Sequence, residues 1–351
     1  MKRILVTGGA GYIGSHAVRA LIGAGYDVVV ADNLINGHFE FVPQVIEFHK
    51  IDIGDEKGLS LIFDKALRCG RPFDAVMHFA GFIEAGLSMK EPFKFFDNNC
   101  NKGAVLLEVM RKFKVKNIIF SSTAAVYGDP VNVPIKEDDP LVPTNFYGET
   151  KLFFEKMLQV YERAYGFKSV SLRYFNAAGA AGDASIGEWH DPETHLIPRV
   201  LKTAMGYYDQ MEIFGTDYDT KDGTCVRDYI HVVDLVKAHV LALEYLFEKK
   251  KSDVFNLGNG RGFTVKEVVE LAKKVSGVDF KVVESKRRFG DPQTLVADCG
   301  KAKKILGWNP LHFDLEDIIS SAWNWHAKHT SRHEGLVSKI DEVVVEKKRA
   351  F

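Results

Sequence analysis

The chain has 351 residues, of which 46% are hydrophobic and 26% are charged, and its 46 basic residues nearly balance 47 acidic ones. This composition is ordinary for a globular protein and excludes a disordered chain, a collagen and a disulfide miniprotein. The formal net charge of −1 lacks the basic excess of proteins that bind nucleic acid phosphates, so no nucleic acid partner is expected. The length predicts about two domains.

Cysteine usage and hydropathy favour a cytoplasmic protein. Cys69, Cys100, Cys225 and Cys299 are far apart and form no Cys-x-x-Cys pair or Cys/His ligand spacing. Reduced thiols and no metal site are therefore predicted. The N-terminal apolar run is too short for a signal peptide, and no segment approaches the ~18 apolar residues of a membrane span, so no membrane partner is expected.

Short apolar runs alternate with longer amphipathic stretches along the first half of the chain. Strands are predicted at Arg3–Thr7, Asp27–Ala31, Val45–Ile51, Ala75–Phe79, Asn117–Ser121 and Ser169–Tyr174, and helices at Ile13–Ala24, Leu59–Arg68, Pro92–Lys112 and Phe146–Tyr165. Runs without alternation suit strands that are buried on both faces. The βαβα order predicts an α/β fold with a Rossmann-type, doubly wound parallel sheet.

The pattern changes after Tyr174. Asn176–Glu193 is rich in Gly, Ala and acidic residues and is predicted to be a long functional loop. Helices are then predicted at His195–Met205, His231–Phe247 and Val265–Val275, and strands at Met211–Phe214, Val254–Asn256 and Phe280–Val283. We predict a Rossmann domain over residues 1–176, to which some later segments return, a smaller α/β substrate part over 177–329, and a peripheral tail over 330–351.

A glycine-rich turn, from Thr7 to Gly14, joins the first strand to the first helix. Glycine permits a tight turn and lets backbone N–H groups approach a pyrophosphate, which the N-terminus of the following helix also attracts. Asp32 ends the second strand about 18 residues after Gly14, where a carboxylate accepts hydrogen bonds from an adenosine ribose and repels the 2′-phosphate of NADP. The Rossmann domain is therefore predicted to bind NAD.

Tyr147 and Lys151 stand four residues apart at the start of a predicted helix, so their side chains share one face. An ammonium group and a cationic nicotinamide both lower the pKa of a tyrosine, which is about 10 in free solution. Ser121-Ser122-Thr123 ends a central strand, at the edge where open α/β sheets bind ligands. A hydroxyl group there can bond a substrate alcohol beside the tyrosine oxygen. The residues alone leave open the alternative of an exposed tyrosine beside a surface lysine.

With these motifs the chain resembles the extended short-chain dehydrogenases/reductases and, within them, the family of UDP-glucose (UDP-galactose) 4-epimerases. The resemblance runs from Lys2 to about His326 and rests on Thr7–Gly14, Asp32-Asn33-Leu34, His78–Gly81, Asn98-Asn99, Phe120–Gly128, Tyr147–Lys151, Arg173–Asn176, Gly223–His231 and Arg288 with Asp291. It implies NAD-dependent interconversion of UDP-galactose and UDP-glucose through a 4-keto sugar, with rotation of the hexose and return of the hydride. It leaves open whether N-acetylated UDP-sugars also react.

Carried over position by position, the resemblance assigns three sets of residues. Catalysis would fall to Tyr147 as the base, with Lys151 and Thr123. The NAD site would comprise Gly8, Gly11, Tyr12, Ile13, Gly14, Asp32, Asn33, Asp52, Ile53, Phe79, Ala80, Gly81, Asn98, Ser121, Tyr147, Lys151 and Tyr174. The site for a UDP-hexose would comprise Thr123, Asn176, His195, Leu196, Phe214, Arg227, Tyr229, Arg288, Asp291 and Leu295.

The chain departs from the family's pattern at three positions. Thr123 stands where the family often has Ser, and it keeps the hydroxyl group. Ile83 stands where some relatives have a Lys that contacts the cofactor, so that contact is lost. His195 stands where some relatives have a substrate-binding Asn, and it is expected either to donate to phosphate or to cap or pack against a helix.

Two other functions are weighed against epimerisation. A nucleotide-sugar 4,6-dehydratase needs an additional acid/base pair, which its relatives carry directly after the hydroxyl residue. Here Ala124-Ala125 occupy those positions and cannot move protons. A catalytically silent NAD sensor would be expected to lack Tyr147 or Lys151, yet both are present.

The resemblance also implies a homodimer formed through the helices Pro92–Lys112 and Phe146–Tyr165. The second helix carries a wide apolar surface, made of Phe153, Phe154, Met157, Leu158 and Tyr161, part of which core packing explains. Leu295 matches a family position near the 2-substituent of the sugar. It is smaller than the Tyr of restricted enzymes, so room for an N-acetyl group is expected.

Overall fold

The computed structural model describes residues 1–288 and 291–329, and the predicted tail over 330–351 lies outside them. Its strands are β1 Arg3–Thr7, β2 Asp27–Asp32, β3 Glu47–Lys50, β4 Ala75–His78, β5 Asn117–Ser121, β6 Lys168–Tyr174, β7 Asn176–Ala178, β8 Met211–Phe214, β9 Val226–His231, β10 Asp253–Leu257, β11 Gly262–Thr264, β12 Val282–Ser285 and β13 Thr294–Leu295.

The helices alternate with these strands. They are α1 Tyr12–Gly23, α2 Glu56–Arg68, α3 Ala85–Ser88, α4 Pro92–Phe96, α5 Lys102–Lys112, α6 Phe146–Tyr165, α7 Leu196–Ala204, α8 Val232–Lys249, α9 Val265–Ser276, α10 Gly300–Leu306 and α11 over 315–329. None of the helices in the described part of the chain has the length and hydropathy that a membrane span requires.

The central sheet has the strand order β3-β2-β1-β4-β5-β6-β10, and every neighbouring pair is parallel. Helices α1 and α8 contribute to an apolar core on one face, while α2 and α5 contribute to a core on the other. The strand order reverses between β1 and β4, which is where such sheets bind ligands beyond their carboxyl ends. The predicted Rossmann-type, doubly wound fold is confirmed.

The second part of the chain is built around β9. This strand pairs with β11 in antiparallel fashion and with β7 and β13 in parallel fashion, while β8 and β12 form a separate parallel pair. A third apolar core joins α7, α9 and α11 beside these strands. Strand β10 and helix α8 belong to the first sheet and its core, although they come later in the chain. The domain boundary near residue 176 stays a prediction.

Two predicted elements differ from the structure. Asn176–Glu193 is not a loop throughout, because its first residues form β7 along β9. Pro92–Lys112 is not one regular helix, because a π-helical turn over Asp97–Asn101 separates α4 from α5. In that turn the Asn99 side chain accepts from the Phe82 N–H at 2.8 Å and donates to Thr150 at 3.1 Å, so the irregular turn links two neighbouring segments.

A buried ion pair joins α6 to β6. Arg173 donates to the two carboxylate oxygens of Glu155 at 3.0 and 2.6 Å, and both side chains are almost fully buried. Ser122, directly after β5, donates to the same carboxylate at 2.5 Å. The pair therefore fixes the helix that carries Tyr147 and Lys151 against the ends of two central strands.

Removing one member of this pair leaves a buried, uncompensated charge. We expect Glu155→Ala to lower the free energy of unfolding by about 3–5 kcal/mol, because Arg173 loses its only paired carboxylate among the described residues. Chemical denaturation measures this. The matched control is Gln159→Ala, one turn further along the exposed face of α6, which should change stability by less than about 0.5 kcal/mol. Equal unfolding midpoints for the two variants would contradict the assignment.

Candidate active site

A large cavity of about 600 Å³ opens beyond the carboxyl ends of the central strands and extends into the second part of the chain. Nearly all the residues predicted from the sequence line it. They are Gly8, Gly11, Tyr12, Ile13, Gly14, Asp32, Asn33, Ile53, Phe79, Ala80, Gly81, Asn98, Ser121, Thr123, Tyr147, Tyr174, Asn176, His195, Leu196, Phe214, Arg227, Tyr229, Arg288, Asp291 and Leu295. Of the predicted residues, Asp52 and Lys151 do not line it.

The glycine turn forms one end of the cavity. Gly8 has a φ of +74°, and a Cβ atom there would lie 2.5 Å from the Ala80 backbone nitrogen. A Cβ atom on Gly14 would overlap the Gly8 carbonyl oxygen. Helix α1, which starts at this turn, has no acidic residue in its first turn and no side chain capping it. The turn therefore presents a positive helix end and close backbone, which fit the pyrophosphate of a dinucleotide.

Asp32 stands at the end of β2, beside the glycine turn. One carboxylate oxygen accepts from the Ala10 N–H at 2.9 Å and the other from the Leu34 N–H at 2.8 Å. Burial raises the pKa of this carboxyl group, and the two backbone donors oppose that shift. The carboxylate is thus held in place at the cavity wall, as recognition of a ribose requires.

Asp52 is engaged with its neighbours outside the cavity wall. Its carboxylate accepts from Lys102 at 2.8 Å and from the Asn33 amide at 3.0 Å, and it also accepts from the Gly54 N–H. Through the amide it holds Asn33, which does line the cavity. The neighbouring Ile53 provides the apolar surface at that end.

Tyr147 and Thr123 line the cavity together and are joined by a side-chain hydrogen bond. Burial raises the pKa of Tyr147, and the nearby Tyr174 adds to that, whereas the hydrogen bond with Thr123 lowers it. The protein by itself therefore favours the neutral phenol. The shift toward a phenolate that the sequence predicts requires a further positive charge beside the tyrosine.

Lys151 lies directly behind these groups. Its ammonium group donates to the Ser121 carbonyl oxygen at 2.9 Å and lies 5.9 Å from the centre of the Tyr147 ring. Burial lowers its pKa to about 8. The Ser121 hydroxyl group is hydrogen-bonded to the Tyr174 hydroxyl group across the ends of β5 and β6. Hydrogen bonds thus link Lys151, Ser121 and Tyr174 at the edge of the sheet, beside the Tyr147 ring.

The part of the cavity wall that the second part of the chain builds carries two arginines, Arg227 and Arg288. Arg227 on β9 donates to Asp291 at 3.3 Å, and Leu295 on β13 stands opposite it in the strand register. The exposed Arg288 guanidinium group stacks over the ring of Phe214 at 4.0 Å. Guanidinium groups are suited to bind the oxygens of a diphosphate, and aromatic or aliphatic side chains beside them bound the rest of a nucleotide.

Asn176 and Tyr229 also line the cavity. They are partners in the register of β7 and β9, and the Asn176 amide donates to the Asp228 carbonyl oxygen at 3.1 Å. The Asp228 carboxylate accepts three backbone N–H groups, from Asn259, Gly260 and Ala297. This buried carboxylate fixes β9, and with it the arginine and the tyrosine that β9 presents.

His195 precedes α7 but does not cap the helix with its side chain. Its Nδ1 atom instead lies 2.9 Å from Glu188 and 3.4 Å from Glu193. Burial lowers the pKa of His195, but the two carboxylates outweigh burial and raise it to about 10. Sequence reasoning missed Glu188, His190 and Arg199, which also line the cavity. The sequence pattern Glu188-x-His190-x-x-Glu193-x-His195 could have indicated Glu188 and His190.

Comparisons with known proteins agree with this site. Residues 4–258 match the NAD dependent epimerase/dehydratase family. The chain belongs to this family. A UDP-glucose 4-epimerase of Lacticaseibacillus casei is 52% identical over 326 residues, which cover 93% of this chain and 97% of that protein. The resemblance to UDP-glucose 4-epimerases that the motifs predict is confirmed.

Two similar solved structures add ligands and substrates. The UDP-glucose 4-epimerase of Bifidobacterium longum, in complex with NAD⁺ and UDP, is 38% identical with a TM-score of 0.86, covering 93% of this chain and 98% of its own. The UDP-Glc/GlcNAc 4-epimerase of Campylobacter jejuni is 43% identical with a TM-score of 0.81, covering 93% and 100%. The cofactor of this family is NAD, as predicted.

Proposed function

We propose that the protein interconverts UDP-galactose and UDP-glucose by inverting the configuration at C4 of the hexose, with NAD as a resident cofactor. The observation that carries this proposal is that one cavity is lined by the hydrogen-bonded pair Tyr147 and Thr123, by the glycine turn and by Arg227 and Arg288. A UDP-hexose held by the arginines would bring its sugar to the tyrosine.

The residues around the glycine turn fit NAD. Gly8, Gly11 and Gly14 would leave room for the pyrophosphate, and Asp32 would accept from the adenosine ribose. When bound, NAD supplies a reversible hydride acceptor for the carbon that is inverted. Its positive charge would also oppose the effect of burial on the pKa of Tyr147.

Tyr147 moves the proton of the reaction. As a phenolate it accepts the proton of the sugar 4-hydroxyl group, and it returns the proton to the same oxygen when the 4-keto sugar is reduced. Thr123 donates a hydrogen bond to that oxygen, so the oxygen stays in place as its charge changes. The buried ammonium group of Lys151 favours the charged form of the tyrosine from behind.

Replacing the base removes proton transfer while the rest of the site stays. We expect Tyr147→Phe to lower kcat for UDP-galactose by about 10²–10⁴-fold, because general base catalysis contributes that much, while the bound NAD content stays the same. The control is Tyr165→Phe, which removes an exposed hydroxyl group from the same helix. Near-normal turnover by Tyr147→Phe would overturn the assignment.

Product analysis separates the competing functions. Incubation with UDP-galactose yields UDP-glucose from an epimerase, a 4-keto-6-deoxy sugar from a dehydratase and no new compound from a sensor. The first outcome is expected, because Ala124 and Ala125, which follow Thr123, carry no group that could expel water from the sugar.

The proposal extends to a homodimer. Phe154 and Leu158, part of the apolar surface predicted for α6, lie in the core, whereas Phe153 and Val160 remain 45% and 49% exposed. Phe93 on the neighbouring α4 is 77% exposed. A second copy that covers these three side chains would bury an apolar patch typical of an interface. The cytoplasmic location stays a prediction.

Sedimentation equilibrium tests the dimer. At micromolar concentration we expect twice the chain mass of 39.4 kDa. Phe153→Asp should shift the mass toward that of one chain, because a charge is costly to bury at an interface. Leu61→Asp, at an exposed apolar residue of α2, is the control and should stay dimeric. A single-chain mass for the unmodified protein would contradict the dimer.

We further propose that UDP-N-acetylgalactosamine is a second, poorer substrate. Leu295 is half-buried at the cavity wall, and the family position that it matches lies near the 2-substituent of the sugar. It has neither the ring nor the hydroxyl group of a tyrosine. The 43% identical Campylobacter jejuni protein, which is named for UDP-Glc and UDP-GlcNAc, supports this breadth.

Leu295→Tyr tests this role. We expect the variant to lower kcat/KM for UDP-N-acetylgalactosamine by about tenfold or more, with less effect on UDP-galactose, because the added ring would fill the space for the acetamido group. The measurement is the ratio of the two values of kcat/KM. Val296→Ile, at the next position and buried, is the control. An unchanged ratio in Leu295→Tyr would show that Leu295 does not set the specificity.

A further inference from the structure

Two carboxylates and two imidazoles meet in the segment between β7 and α7, and the proposed reaction uses none of them. They belong to Glu188, His190, Glu193 and His195, which each offer one donor atom within 4.8 Å of the others. Four N···O distances within the cluster are 2.9, 3.4, 3.4 and 3.8 Å. Donor atoms about 2.0–2.2 Å from a tetrahedral zinc ion lie about 3.4 Å apart, so this spacing is that of a ligand set.

Three polar atoms of the cluster are buried and lack a hydrogen-bond partner in the described part of the chain. Glu188 and Glu193 are 5% and 2% exposed. The Nδ1 atoms of His190 and His195 and one oxygen of Glu193 are buried without a hydrogen-bond partner. The histidines and carboxylates therefore meet as ion pairs whose geometry is not that of directed hydrogen bonds. Buried polar atoms that lack a directed hydrogen bond call for a further partner, and an ion at the centre of the cluster would supply it.

The backbone around the cluster holds the donors in place. The other oxygen of Glu193 accepts from the N–H groups of Thr194 and His195, each at 2.9 Å. The carbonyl oxygen of Glu188 accepts from the Trp325 indole at 3.2 Å. The cluster is thus supported by α11 and by its own loop, as ligand sets of metal sites are supported by outer hydrogen bonds.

We propose that Glu188, His190, Glu193 and His195 bind one zinc ion that fixes this loop to the start of α7. Two imidazole nitrogens suit zinc better than magnesium or calcium, which prefer oxygen donors. Four protein donors fill a tetrahedral zinc shell and leave no open position, so the ion is structural. It stiffens the cavity wall that Glu188, His190 and His195 share.

Zinc binding to the full chain tests the proposal. An untagged Cys69→Ser parent removes the exposed thiol, which could itself bind zinc. The parent is stripped with a chelator, equilibrated with Zn²⁺ alone against a competing chromophoric chelator, and its metal content is measured by mass spectrometry. We expect about one zinc per chain, and at least about tenfold weaker binding after His190→Ala.

Glu193→Gln and His49→Ala complete the test. Glu193→Gln keeps a carbonyl oxygen for the two backbone donors, so the loop can fold while an anionic ligand is lost, and zinc affinity should again fall at least about tenfold. His49→Ala removes an imidazole that lies 3.0 Å from a carboxylate elsewhere, and it should leave zinc affinity unchanged. The proposal is overturned if the parent binds zinc no more tightly than His190→Ala and Glu193→Gln do. It is also overturned if excess Mg²⁺ displaces the zinc ion.

Discussion

The buried pair of Arg173 and Glu155 is the constraint on which the catalytic geometry depends. It fixes α6 to β6, and through Ser122 it also reaches the end of β5. Tyr147 and Lys151 begin α6, and their distance to Thr123 therefore follows from how this helix sits on the sheet. Burying two charges costs desolvation free energy, and their mutual attraction offsets this cost only when their hydrogen-bond geometry is good. The pair therefore allows little displacement of α6 relative to β6.

Burial at this edge of the sheet gives the site its electrostatic character. It keeps Tyr147 neutral and lowers the pKa of Lys151 to about 8, so the protein alone does not create the phenolate. Under the proposed reaction the base becomes competent only when a cationic cofactor lies beside it. The same low-dielectric surroundings that oppose ionisation make that added charge effective.

The sequence was informative where local pattern determines structure. Unbroken apolar runs predicted the central strands, and the glycine turn followed by Asp32 predicted one end of the cavity, because both depend on neighbours in the chain. Strand β9 escaped prediction because Arg227, Asp228 and His231 interrupt its apolar pattern. Its structure comes from partners on β7, β11 and β13, and such distant pairing leaves no local periodicity.

The side chains that gather around His195 also could not be predicted from local sequence. The sequence offered His195 as a phosphate donor or a helix cap; in the structure its side chain does not cap α7, and its Nδ1 atom faces two carboxylates that the sequence analysis did not single out. Spacing along a loop does not determine which side chains converge, because loop folding decides it. Helix α6 thus carries Tyr147 and Lys151, whereas the second part of the chain carries Arg227 and Arg288, the groups proposed to hold the diphosphate. Under the proposed reaction, this division suits a substrate whose diphosphate stays bound while its hexose turns.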